Sequence, residues 1–170
     1  MITVHMAISL DGFIAKKDNC VSWFDTTCDF LQGIEYPNDE NFPISVDCYV
    51  MGSHTFEFAH ELSKEHGWPY GETPTIVLTS RNLTTERNNI EFFKGDLQTC
   101  VEKLRLTYKR IWVVGGAQVA NDFIRTNLAQ EIHISILPIL LGEGIPFFSA
   151  IPDEKPLQLK NTFAYKNGFR

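Results

Sequence analysis

A chain of 170 residues, with 44% hydrophobic and 21% charged residues, can bury one substantial core, so a single domain over residues 1–170 is expected, with no compositional sign of disorder. A net charge of −6 excludes an electrostatic grip on nucleic acid or on an anionic membrane, which needs clustered Lys and Arg, and leaves a small molecule as the expected partner. No apolar run approaches the roughly 18 residues that span a bilayer, and Cys20, Cys28, Cys48 and Cys100 lack CxxC spacing, so a cytoplasmic protein with reduced thiols and no metal is expected.

In chain order, the apolar segment 2–8 lacks a basic leader and reads as a first strand. Residues 24–34 carry a helical pattern, and 36–44 form a loop rich in Pro, Asn and Asp. The β-branched run 46–51 predicts a buried strand leading through Gly52-Ser53-His54-Thr55 into a helix over 53–62, and Asp47 at its start is expected to satisfy backbone donors. A loop over 63–73 with Gly67, Trp68, Pro69 and Gly71 follows, then a strand over 75–79 that ends in Ser80-Arg81. Next come a strand over 90–93, a helix over 97–107, and a strand over 111–114 that runs through Gly115-Gly116 into a helix over 118–126. A strand over 131–137 and a segment 157–165 before the Asn167-Gly168 turn signal complete the pattern. Strands alternating with helices predict an α/β domain with a mostly parallel sheet, whose ligands collect at the carboxyl ends of the strands.

Three of those ends suit an anion. Gly52 lets backbone approach a phosphate, while the amides of the following helix start and the hydroxyls of Ser53 and Thr55 supply donors; helix capping is the plainer account of the same residues. Gly115-Gly116 repeats the arrangement without the GxGxxG dinucleotide pattern. Arg81 sets a guanidinium at the end of the strand over 75–79, suited to a ribose 2′-phosphate, which favours NADP over NAD. Together the three ends predict a dinucleotide stretched across the sheet. Trp68 and Trp112 read as packing aromatics, and the five histidines show no metal-site spacing.

Several segments in this order resemble the dihydrofolate reductase-like superfamily, most closely its branch related to the riboflavin-biosynthesis reductase domain. They are Ser9-Leu10-Asp11-Gly12, Met51-Gly52-Ser53-His54-Thr55-Phe56-Glu57, Leu78-Thr79-Ser80-Arg81, Val113-Val114-Gly115-Gly116, and Pro138 to Gly144 leading to Phe147-Phe148. The resemblance implies a three-layer αβα fold with an antiparallel C-terminal strand, NADPH as cofactor, and a homodimer. It implies that Gly52, Ser53, His54 and Thr55 lie near the adenosine and pyrophosphate phosphates, and Thr79, Ser80 and Arg81 near the adenosine ribose. It further implies that Val114, Gly115, Gly116, Ala117, Gln118 and Val119 hold the pyrophosphate, and that Ala7, Ile14 and Ala15 wall the nicotinamide.

Hydride transfer needs positioning and exclusion of water, and a proton must reach the reduced substrate. Asp11, Asp25 and Asp29 are candidates, with Asp29 and Asp11 the foremost; Trp23, Asp25 and Asp29 are the expected substrate neighbours. Asp25 and Asp29 lie four apart, on one face if their segment is helical. The activity implied is that of a 5-amino-6-(5-phosphoribosylamino)uracil reductase-like enzyme acting on a small heterocyclic or ribosylamino-pyrimidine-like compound. The chain lacks the zinc deaminase signature that usually accompanies this domain. Dihydrofolate reduction is an alternative, although no clear Arg for a glutamate tail stands between the first helix and Gly71; a non-catalytic nucleotide-binding or oligomerisation module is another.

Overall fold

The computed structural model describes residues 1–25, 32–35, 46–149 and 154–166, the side chain of Asp25 excepted. In chain order it contains β1 (Ile2–Ser9), β2 (Phe13–Ala15), a 3-10 turn over Ser22–Asp25, β3 (Cys48–Gly52), α1 (Ser53–His66), β4 (Thr75–Leu78) and β5 (Ile90–Phe93). Then come α2 (Leu97–Thr107), β6 (Ile111–Val113), α3 (Ala117–Arg125), β7 (Glu131–Leu137) and β8 (Ile145–Pro146). Six strands form one sheet in the order β5-β4-β3-β6-β1-β7, and β2 and β8 form a second, small antiparallel sheet. The result is the expected three-layer α/β architecture. No helix among the described residues is long and apolar enough to cross a membrane.

The chain divides into two compact units, the first Met1–His5 with Ser45–His133 and the second Met6–Ile44 with Ile134–Arg170. In the first unit β3 pairs in parallel with β4 and with β6, β6 with β1, and β4 with β5. These strands are continuous apolar runs because both faces are covered: Ile2, Val4, Cys48, Val50, Met51, Ile76, Val77, Ile111 and Val113 are all buried. Beside the sheet, Met51 and Val77 pack with Phe56 and Ala59 of α1 and with Trp68. The Phe56 ring meets Phe92 edge-on at 5.1 Å and lies 6.1 Å from Trp68, so Trp68 is a packing residue, as is the buried Trp112. Asp47 accepts hydrogen bonds from the backbone N–H groups of Lys109 and Arg110 and from the Arg110 guanidinium, the backbone role the sequence assigns it. That clamp fixes the entry of β3 against the entry of β6. At the start of α2, the Asp96 side chain accepts from the Thr99 N–H at 2.9 Å and caps the helix.

In the second unit the turn after β1 is organised by Ser9, whose Oγ accepts from the Phe13 N–H at 2.9 Å and donates to Asp11 at 2.6 Å. Phe147, fully buried, donates its N–H to the Gly12 carbonyl beside the β2–β8 pair.

Some expectations need correction. The helix expected over 24–34 is absent at both described ends: Ser22–Asp25 is a 3-10 turn, and Ile34 makes an isolated parallel bridge to Tyr165. The segment 157–165, which precedes the expected hairpin turn, forms no strand; apart from Tyr165 these residues have no regular structure. Its alternating Leu157, Leu159 and Phe163 remain exposed, because period-2 hydrophobicity makes a strand only where a partner edge is in reach. The loop expected from residue 63 starts only at Gly67, α1 being prolonged by a turn whose Lys64 and His66 favour the negative end of the helix dipole. The loop at 36–44 and the Asn167-Gly168 turn lie outside the described residues.

On the first unit's part of the sheet, the His5 ring packs edge-on against Trp112 at 4.8 Å and faces His133 at 6.4 Å. Burial first, and the His133 ring second, push the His5 imidazole down to about 4. Its unfolded value is near 6.5, so the unfolded chain binds the proton first; the stabilisation is complete above that pH and is lost as pH falls toward 4. We expect His5→Phe to lessen the acid loss of stability, worth up to about 3 kcal/mol at this position, when urea unfolding midpoints are compared at neutral pH and near pH 4.5. Equal acid loss in both proteins would refute the assignment.

Candidate functional site

Parallel pairing brings the carboxyl ends of β4, β3 and β6 side by side within the first unit, over a width of roughly 10 Å for three adjacent strands. Gly52 stands opposite Leu78 in the β3–β4 register and donates its N–H to the Gly115 carbonyl at 2.8 Å; Val114 donates to Val50 at 2.9 Å. The two strand-to-helix turns therefore interlock.

Gly52 is the N-cap of α1 and Gly116 that of α3, and neither helix has a side-chain cap or an acidic residue in its first turn. Both helix starts thus aim uncompensated N–H groups at one sheet edge, an arrangement that favours an anion. Close approach is enforced sterically at Gly52. A Cβ there would stand 3.0 Å from Val119 Cγ2, whereas one at Gly116 would make an ordinary 3.4 Å contact with Thr55 Oγ1. Gly115 has φ +123, a conformation that L side chains rarely adopt. Ser53, Thr55, Ala117 and Val119 are half-buried on this edge, and His54 and Gln118 are exposed.

At the end of β4, the Thr79 N–H donates to Phe93 O and its hydroxyl accepts from the Arg81 N–H at 3.0 Å, while Ser80 is exposed. The Arg81 guanidinium reaches back to α1, donating from Nη2 to Glu57 Oε2 at 2.7 Å. The Arg81 hydrogen bond holds the Glu57 carboxyl below the usual carboxylate range. Sequence reasoning assigned no role to Glu57; 24 residues separate it from Arg81, and no local spacing signals such a pair.

The remaining expected site residues, Asp29 excepted, belong to the second unit. Asp11 accepts from the Ser9 hydroxyl and from the N–H groups of Leu141 (3.1 Å) and Gly142 (2.7 Å), so both its oxygens are engaged in fixing that loop. The Ser9 hydroxyl is the main reason its carboxyl stays below the ordinary range. Ala7 and Ile14 are half-buried, and Ala15 is buried on β2. Trp23 is buried and stacks on Phe24 at 4.4 Å. Asp25 closes the 3-10 turn, and Asp29 lies outside the described residues. Among the described residues no group of three or more His, Cys, Asp or Glu is placed to hold a metal ion.

Residues 1–170 match the family model of the RibD C-terminal domain. YwjB of Bacillus subtilis (strain 168), an uncharacterized protein, is 29% identical over 160 residues, covering 94% of this chain and 88% of YwjB. The crystal structure of a "putative riboflavin biosynthesis protein" from Shewanella sp. PV-4 aligns with a TM-score of 0.78 and 25% identity, over 99% of this chain and 94% of that one. Dihydrofolate reductase from Enterococcus faecalis, solved with NADP(H), aligns with a TM-score of 0.59 and 21% identity, over 99% and 90% of the two chains, a likeness of fold.

The interlocked turns make a direct steric prediction. Gly52→Ala forces Val119 to yield and should lower stability by about 1–3 kcal/mol, as overpacking does. Adding Val119→Ala should recover part of that loss, and a chemical-denaturation double-mutant cycle should show coupling above about 0.5 kcal/mol. Strict additivity would show that the two turns do not touch.

Proposed function

The chain belongs to the RibD C-terminal domain family, and on that premise we propose that it is an NADPH-dependent reductase of riboflavin-biosynthesis type. Its substrate is a small heterocyclic or ribosylamino-pyrimidine-like compound, and its setting is the cytoplasm. The observation that carries the reading is the double glycine turn: Gly52, where a side chain would crowd Val119, and Gly115-Gly116 beside Thr55 leave a strip of bare backbone bordered by two helix starts. A dinucleotide pyrophosphate fits that donor set in charge and in its need for bare backbone. Gly52 to Thr55 and Val114 to Val119 hold the phosphates, while Thr79, Ser80 and Arg81 attend the adenosine ribose. Ala7, Ile14 and Ala15 keep, in this proposal, the nicotinamide-facing role that the resemblance gives them.

When bound, NADPH supplies the hydride. The residues of the chain bind, orient and exclude water, which is most of what hydride transfer asks of a protein. Of the two carboxyls assigned to proton delivery, Asp11 is kept ionised by three hydrogen bonds and makes a poor acid near neutral pH. The proposal therefore gives the proton to Asp29, with Trp23 and Asp25 beside the substrate.

Homodimerisation belongs to the same reading. Its support is exposed apolar side chains, with Leu157 73% and Leu159 81% exposed on one short segment. Light scattering behind a sizing column should give twice the chain's 19.4 kDa, and a monomer across micromolar concentrations would remove this part.

The central test is nucleotide binding. NADPH should quench tryptophan fluorescence and raise the unfolding temperature by mass action. Arg81→Ala should weaken NADPH by about tenfold, as loss of a charge-assisted phosphate contact does, and leave NADH nearly unchanged. A folded protein that binds neither nucleotide would refute the reductase reading.

A further inference from the structure

Arg81 does not wait alone at the sheet edge. Its guanidinium already shares a 2.7 Å hydrogen bond with Glu57, and the two side chains are 45% and 43% exposed, so the pair is open to solvent and within reach of a ligand. An ion pair so exposed adds little to stability, because water screens it and two long side chains must be held still. Both members of the pair are nevertheless anchored by the backbone around them. The Arg81 backbone is tied to Thr79 Oγ1, and Glu57 projects from α1, whose first residues line the glycine turns.

A carboxylate and a guanidinium at one ribose-reading position have opposite preferences. A 2′-phosphate accepts from the guanidinium but is repelled by the carboxylate and must compete with it for the same N–H groups. A free 2′-hydroxyl donates to the carboxylate and gains nothing from the positive charge. We infer that Glu57 is a specificity-determining residue that narrows the preference of this site for 2′-phosphorylated over unphosphorylated nucleotides while holding Arg81 in place. The inference rests on the nucleotide-binding reading above and adds to it the group that sets the discrimination.

The experiment measures dissociation constants for NADPH, NADH, adenosine 2′,5′-bisphosphate and AMP with the wild-type chain, Glu57→Gln and Glu57→Asp. Glutamine keeps an oxygen acceptor for Arg81 but removes the negative charge; aspartate keeps the charge. Glu57→Gln should tighten the two 2′-phosphorylated ligands by about threefold to tenfold, the range for relieving one like charge at a half-exposed site. It should leave NADH and AMP unchanged or weaker, and Glu57→Asp should keep a ratio within about twofold of wild type. The gain in Glu57→Gln should shrink at high salt, since the effect is electrostatic. A purely structural role for Glu57 would move all four ligands together and leave the ratio constant. A constant ratio in a variant that still binds NADPH overturns this inference and spares the reductase reading, whereas a wild-type chain that binds none of the four ligands overturns both.

Discussion

Parallel pairing of β3 with both β4 and β6 is the constraint on which the candidate site depends. Because all three strands run the same way, each delivers its carboxyl end to one edge, and each must then leave the sheet there. Two of the three exits lead into helices, and at Gly52 the space between the turns is too small for a side chain. Glycine at 52 is thus a packing requirement before it is a functional one. The same crowding leaves bare backbone and helix-start amides facing outward, so the donors of an anion site arise from solving a packing problem.

The electrostatics are arranged along that edge. Neither helix start carries an acidic residue in its first turn, which leaves the local field positive, and the first negative charge on α1 stands at Glu57, engaged with Arg81. In the second unit, Asp11 spends its charge on the amides of Leu141 and Gly142. The two carboxylates look alike in sequence, each within a short motif near a glycine, yet one organises a loop and the other modulates an arginine. Their hydrogen-bond partners separate them.

How much of this was legible in sequence depended on the range of the forces involved. β5, α2 and β7 fall on the residues expected, because long apolar runs and a capping Asp96 are local signals. The Gly52 and Gly115-Gly116 turns could be read for the same reason. β2 and β8 could not: three and two residues are too short to show a period, and their pairing is made by partners far apart in the chain. Residues 157–163 show the opposite failure, since their alternation is that of a strand and none forms there. The Glu57–Arg81 pair joins a helix to a strand end and leaves no mark in either segment taken alone.

The strand order also governs how the protein must assemble. β6, only Ile111–Val113, lies between β1 and β3 and bonds to both, with Ile111 aligned to Ile2 on one side and to Cys48 on the other. Until that short segment docks, the buried side chains Ile2 and Val4 have no neighbour on that side, while β3, β4 and β5 can associate through connections closer in sequence. Closing so distant a pairing costs more chain entropy than joining β3, β4 and β5, whose partners lie closer in sequence. The β3–β6 seam, which carries the glycine turns, is the nearer in sequence of the two pairings that β6 makes.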